Sequence, residues 1–179
     1  MDGTTFGPDL VGRAHGIEAL ILDVDGTLTD GGLYYAEYGD ELKRFDVQDG
    51  AGLVFWHLAG FRSAIISGRK SKLVLRRAKE LRIEQVFQGV SYKLEVYERL
   101  LKRWHFKDEQ VCVIGDDLPE LSMLRRAGLS VAVANAAPDV KRAAHYQTAR
   151  AGGRGAIREI IELLLQAKGV WDQVLERYP

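Results

Sequence analysis

Ala19-Leu20-Ile21-Leu22-Asp23-Val24-Asp25-Gly26-Thr27-Leu28-Thr29-Asp30 is the stretch around which the chain is organised. A short apolar run ends in two carboxylates spaced i, i+2, followed by a glycine and hydroxyls. A run of this length bounded by a turn signal reads as a buried strand of a parallel sheet. Strand periodicity points Asp23 and Asp25 to one side, so both can face a site beyond the strand's end. Two carboxylates that close repel, and they require a cation or a proton.

The same pattern recurs along the chain. Residues 61–66 form a second apolar strand that ends in Ser67-Gly68-Arg69. Residues 84–87 make a short third strand. A fourth, 111–114, ends in Gly115-Asp116-Asp117, and a fifth, 129–134, is followed by Asn135. Helices are expected over 49–58, 70–81, 94–104, 119–126, 139–144 and 157–167, with another short one after Gly169. Residues 33–37 and 41–45, separated by Tyr38-Gly39-Asp40, read as an aromatic-rich β-hairpin. Such a hairpin is marginal in water by itself, so it must lie on the domain or on another subunit. Residues 1–16 are glycine-rich and weakly patterned, either a frayed lead-in or a short helix. Strands alternating with helices imply an α/β fold: a mainly parallel sheet with helices on both faces. Ligands of such sheets bind at the carboxyl edge, where all four polar clusters fall.

Composition narrows the function. The 179 residues suit a single domain, 1–179, with a sizeable core. Lys+Arg and Asp+Glu both number 25, so no bulk charge favours nucleic acid. The lone Cys112 sits in an apolar run and permits no disulfide within the chain. No segment approaches the ~20 apolar residues of a membrane span, and no leader pattern is visible. The expectation is a cytoplasmic protein without nucleic-acid or membrane partners.

Asp23, Asp25, Ser67, Lys93, Asp116 and Asp117 are the residues that carry chemistry. Four carboxylates at one edge demand a cation, and oxygen-only ligands suit Mg²⁺. No His/Cys set has zinc spacing. A hydroxyl and an ammonium hold phosphoryl oxygens. Together these groups describe phosphoryl transfer through an aspartyl-phosphate.

At these residues the chain resembles the haloacid dehalogenase (HAD) superfamily. Residues 23–30 look like its motif I, Ser67-Gly68-Arg69 its motif II, Lys93 its motif III and Gly115-Asp116-Asp117 its motif IV. The resemblance implies that Asp23 is the nucleophile and Asp25 the acid and base. It implies that Asp23, Asp116 and the backbone carbonyl of Asp25 bind Mg²⁺. Ser67, Gly68, Arg69 and Lys93 would bind phosphate or substrate. A hairpin, a helix and a strand consume the interval between motifs I and II, and Lys93 follows motif II closely, so no cap domain fits. The chain is similar to capless 3-deoxy-D-manno-octulosonate 8-phosphate (KDO 8-phosphate) phosphatases, which cover their sites by tetramerising through the hairpin. The likeness therefore implies a homotetramer that releases phosphate from a phosphorylated sugar acid in lipopolysaccharide precursor synthesis. Phosphatases of nonulosonate 9-phosphates are the neighbouring alternative. A phospho-accepting receiver domain and a silent scaffold are more distant ones. Tyr92 departs from the pattern, which often has Asp before the motif III lysine.

Overall fold

The protein was analysed as a computed structural model, which describes residues 7–37 and 41–178. After helix α1 (Pro8–Gly16), strand β1 (Ala19–Leu22) enters the centre of the sheet. The hairpin strands β2 (Tyr34–Tyr35) and β3 (Glu41–Leu42) follow, then α2 (Val47–Leu58), β4 (Arg62–Ile66), α3 (Lys72–Glu80) and β5 (Gln85–Phe87). The second half runs α4 (Lys93–Trp104), β6 (Val111–Gly115), α5 (Leu121–Leu124), β7 (Leu129–Ala132), α6 (Pro138–Ala143), β8 (Tyr146–Gln147), α7 (Ala156–Ala167) and α8 (Trp171–Leu175).

Six strands form one sheet in the order β5-β4-β1-β6-β7-β8, every pair parallel. Successive strand residues point to opposite faces, yet all four residues of β1 are buried. Both faces are therefore covered. α1, α2, α7 and α8 pack together in one layer, and α4, α5 and α6 in another. Chain order reverses between β1 and β6: the sheet grows one way through β4 and β5, then the other way through β6 to β8. A ligand crevice opens at such a switch point.

Several expected boundaries shift for identifiable reasons. α2 starts at Val47, not Asp49, because Asp46 caps it by accepting from the Gln48 and Asp49 amides. Asp49 instead reaches across to α7, accepting from Gly155 N (3.2 Å) and Arg158 N (2.9 Å). The helix expected over 119–126 is a 3₁₀ turn, Leu118–Glu120, followed by the short α5. Asp117 accepts from Leu118 N while Glu120 accepts from Asp117 N, which tightens that first turn. Residues 8–16 are helical. β8 was not expected; two residues are too few to show a period.

The hairpin pairs Tyr34 with Leu42 and Tyr35 with Glu41, and a bridge joins Thr29 to Phe45. Its turn, Tyr38-Gly39-Asp40, lies outside the described residues. Leu33, Tyr34, Tyr35 and Leu42 leave it as exposed apolar side chains.

Backbone packing at the carboxyl edge leaves no room at Gly152. A Cβ there would lie 1.8 Å from Gly26 O, whereas one at Gly12, in α1, meets nothing within 4 Å. Gly152→Ala should cost about 1–3 kcal/mol through forced backbone shifts. Gly12→Ala should gain roughly 0.5–1 kcal/mol from helix propensity. Urea unfolding of the two variants beside the parent checks both signs.

Candidate active site

β1 ends at Leu22, so residues 23–29 form a loop and do not continue the strand. Asp23 N still reaches Ile114 O of β6, which seats the loop's start against the sheet. Gly26 takes φ +97°, and a Cβ there would collide with Asp116 Oδ2 at 2.1 Å; only glycine lets the two loops touch. Thr27 Oγ1 donates to Asp116 Oδ1 at 2.9 Å. Asn135 closes the other side. Its Nδ2 donates to Gly26 O (2.9 Å) and its Oδ1 accepts from Gly152 N (2.7 Å). Asn135 thus clamps the loop after β1 to the glycine turn at 152–155, and Gly153 N adds a bond to Thr27 O.

Asp23, Asp116 and Glu120 each offer an oxygen, all within 4.8 Å of one another. Lys93, at the start of α4, spans two of them: Nζ lies 2.5 Å from Asp23 Oδ1 and also pairs with Glu120 Oε1. All but Asp116 are buried. Burial pushes Asp23 up to about 7, against the pull of Lys93 and with a further push from Glu120 and Asp116. Burial likewise raises Asp116 to about 6, opposed by the Thr27 bond. Burial opposes the charge on Lys93, but Asp23 and Glu120 outweigh it and hold its pKa above the usual value. Three carboxylates share one ammonium, and burial holds Asp23 and Asp116 toward their protonated forms unless a further cation offsets their charge. An oxygen-only cluster of this kind fits a hard divalent cation.

Sequence reasoning missed Glu120. The signal was present: Glu120 stands four residues after Asp116, in a turn that its own side chain helps close. Asp117, by contrast, spends Oδ1 on the Leu118 amide at 2.8 Å and stands outside the metal-capable group.

Asp25 also stands apart from that group. Its carboxylate faces the hairpin, pairing with Lys43 Nζ through Oδ1 and with Arg69 Nε at 3.6 Å through Oδ2. The Lys43 side chain is buried and reaches Glu41 at 3.3 Å. Arg69 reaches Glu41 and the Tyr35 hydroxyl, each at 3.2 Å. The hairpin therefore folds down over Asp25. Lys43 was not singled out from sequence either; one lysine on a hairpin strand carries no distinguishing pattern. Ser67 is buried one residue past β4, its Oγ accepting from Arg69 N at 3.3 Å. Because β1 and β4 are parallel with Leu22 opposite Ile65, Ser67 stands beside the end of β1. Gly68 has ordinary space, with Val90 O 3.7 Å from a built Cβ.

The remaining candidates fall elsewhere. Tyr92 is exposed and makes no capping bond, leaving Lys93 undisturbed. Arg154 is exposed on the glycine turn. His57 pairs with Ser63, His145 with Ser130, and His105 ends α4 in a left-handed conformation.

Comparison with known proteins agrees with this layout. The sequence pattern of haloacid dehalogenase-like hydrolases matches residues 83–161. KdsC of Escherichia coli (strain K12), a 3-deoxy-D-manno-octulosonate 8-phosphate phosphatase, is 44% identical over 173 residues, 95% of this chain and 92% of that protein. The chain belongs to the 3-deoxy-D-manno-octulosonate 8-phosphate phosphatase family. Solved structures of this family superpose closely. That from Yersinia pestis gives a TM-score of 0.92 at 43% identity, covering 93% of this chain and 90% of its own. That from Moraxella catarrhalis, in complex with a magnesium ion, a phosphate ion and KDO, gives 0.95 at 38% identity, covering 97% and 100%. The family's capless α/β fold, expected from motif spacing, is the one seen here.

Glu120→Gln keeps the side chain's size and an acceptor for Asp117 N while removing one charge from the cluster. Its affinity for Mg²⁺ should fall by about tenfold or more. The melting temperature measured across a Mg²⁺ titration should show it as a right-shifted stabilisation curve.

Proposed function

We propose that the chain is a Mg²⁺-dependent phosphatase that hydrolyses KDO 8-phosphate to KDO and inorganic phosphate through an aspartyl-phosphate on Asp23. The convergence of Asp23, Asp116 and Glu120 around Lys93, in a chain so similar to these phosphatases along nearly its whole length, carries the reading.

An Asp23 oxygen attacks phosphorus, and the bond to the sugar oxygen breaks as Asp25 gives that oxygen a proton. Asp25 then takes a proton from water as the water oxygen attacks the phosphoryl group. Phosphate leaves, and the Asp23 carboxylate is restored. Lys93, fixed between Asp23 and Glu120, faces the charge spread over the phosphoryl oxygens in both steps. The Ser67 hydroxyl and the backbone at Gly68 hold the same oxygens. Arg69, with its guanidinium partly exposed above Asp25, receives the carboxylate of the sugar acid. Mg²⁺ held by Asp23, Asp116 and the Asp25 backbone carbonyl, with Glu120 beside them, supplies the positive charge that lets an anionic nucleophile approach an anionic phosphate.

The exposed Leu33, Tyr34, Tyr35 and Leu42 of the hairpin suit a homotetramer in which neighbouring copies exclude water from the site. Residues 1–179 act as one catalytic domain, a reading supported by the apolar core formed among the described residues. No helix among the described residues is long and apolar enough to cross a membrane. A cytoplasmic place in lipopolysaccharide precursor supply follows from the family likeness.

Phosphate release from a panel of sugar phosphates, with Mg²⁺ or with EDTA, tests the chemistry. The expected result is strong Mg²⁺-dependent turnover of KDO 8-phosphate, lost in Asp23→Asn. Preference for a nonulosonate 9-phosphate would keep the mechanism and replace the substrate. A stable phosphoprotein without turnover would sink the hydrolase reading. Light scattering tests the assembly: Tyr34→Asp/Tyr35→Asp should dissociate the tetramer and lower activity at least about tenfold by opening the site to water. A fully active monomer would refute the proposed covering.

A further inference from the structure

The amino edge of the sheet, opposite the catalytic residues, holds a cavity of about 430 Å³ where the end of α2, the starts of β4 and β5 and the end of α4 meet. Its lining includes three arginines: Arg62 opening β4, Arg82 just after α3, and Arg103 on α4. All three are exposed residues around a more buried floor that includes Ser63 and Trp104. None of the three forms an ion pair among the described residues, although 14 such pairs are present elsewhere. Arg62 does lie 5.7 Å from the Phe106 ring centroid. Glu84 supplies the cavity's single carboxylate and is likewise unpaired. His57 is held toward its neutral form, mainly by burial. The cavity therefore carries two net positive charges.

Arg82 adds an independent observation. It has φ +59°, one of only two non-glycine residues with positive φ among those described. Helices commonly end on glycine in this conformation, and a side chain there is strained. Arg82 sits in this strained position, lines the cavity and forms no ion pair among the described residues.

We infer that this cavity is a second binding site, specific for a small phosphorylated metabolite and separate from the catalytic centre. Three guanidinium groups exceed what the two oxygens of one carboxylate can use, whereas a phosphate monoester offers three oxygens and a charge near −2, the complement of the site. Glu84 and Ser63 supply hydrogen-bond partners for hydroxyls on the ligand's organic part. Arg62 and Ser67 bracket the two ends of β4, so this ligand does not compete with substrate.

Equilibrium dialysis of radiolabelled inorganic phosphate against the Mg²⁺-loaded full chain tests the site. Wild type should bind one phosphate per chain more than Arg82→Gly/Arg103→Ala, with turnover unchanged in the variant. Charge-assisted bonds of this kind predict at least about tenfold weaker binding for each arginine removed. Arg82→Gly alone should melt no lower than wild type, because it relieves the strained backbone while removing a guanidinium. Should the double variant fail to fold, Arg103→Ala, on an exposed helical position, makes the same comparison. Equal phosphate binding by wild type and these variants would overturn the inference, as would loss of the extra phosphate in Ser67→Ala, which would place it at the carboxyl edge.

Discussion

Lys93 is the pivot of the catalytic edge. Its ammonium stands between Asp23 and Glu120 in a space nearly closed to water. A buried carboxylate without a partner is far too costly to keep ionised. Two of the three crowded carboxylates share this one lysine, and Asp116 leans on the Thr27 hydroxyl. The remaining negative charge has no protein partner in the cluster. That imbalance favours a divalent cation, whose charge would give the incoming phosphoryl group a positive surface to meet. Had the cluster been neutralised internally, it would be more stable and less able to bind a cation.

The sheet holds this arrangement in place through backbone contacts. Parallel pairing aligns the ends of β1, β4 and β6, and each is followed directly by a site residue: Asp23, Ser67 and Asp116. Loops at such ends are free to wander unless something ties them. Here Asn135 and the turn at 152–155 do so, bonding to backbone atoms of Gly26 and Thr27. Backbone-to-backbone approach is why glycine recurs at these points. A side chain that interdigitates can change rotamer, but a carbonyl 1.8 Å from a would-be Cβ can yield only by moving the chain.

The strands and their order along the chain were readable because buried parallel strands are continuous apolar runs, and because four of the five read from sequence were followed by a polar cluster. Asp23, Ser67, Lys93 and Asp116 were therefore visible as strand-end or helix-start residues. Glu120 was hidden inside what read as an ordinary helix; the capping interaction that turns it inward is a tertiary fact as much as a local one. Lys43 was hidden for a different reason. Its partner Asp25 lies 18 positions earlier, across the hairpin, and no periodicity links the two. Strand periodicity was not the right basis for placing Asp25, which lies in a loop. The strand stops at Leu22, three residues before Asp25, whose carboxylate meets Lys43 and Arg69. β8, at two residues, gave no pattern to read.

The hairpin's hold on Asp25 has a consequence in time. Lys43 and Arg69 meet Asp25 beneath a two-stranded ribbon joined by only two residue pairs. Isolated ribbons of this length are marginal in water and form in about 1–10 μs, whereas enzymes commonly turn over about 1–10³ times per second. Wherever no neighbouring copy held the ribbon, Asp25 would meet substrate in an environment averaged over its paired and unpaired forms. Substitutions that weaken the ribbon would then scale the rate with the paired population, and would not insert a new slow step.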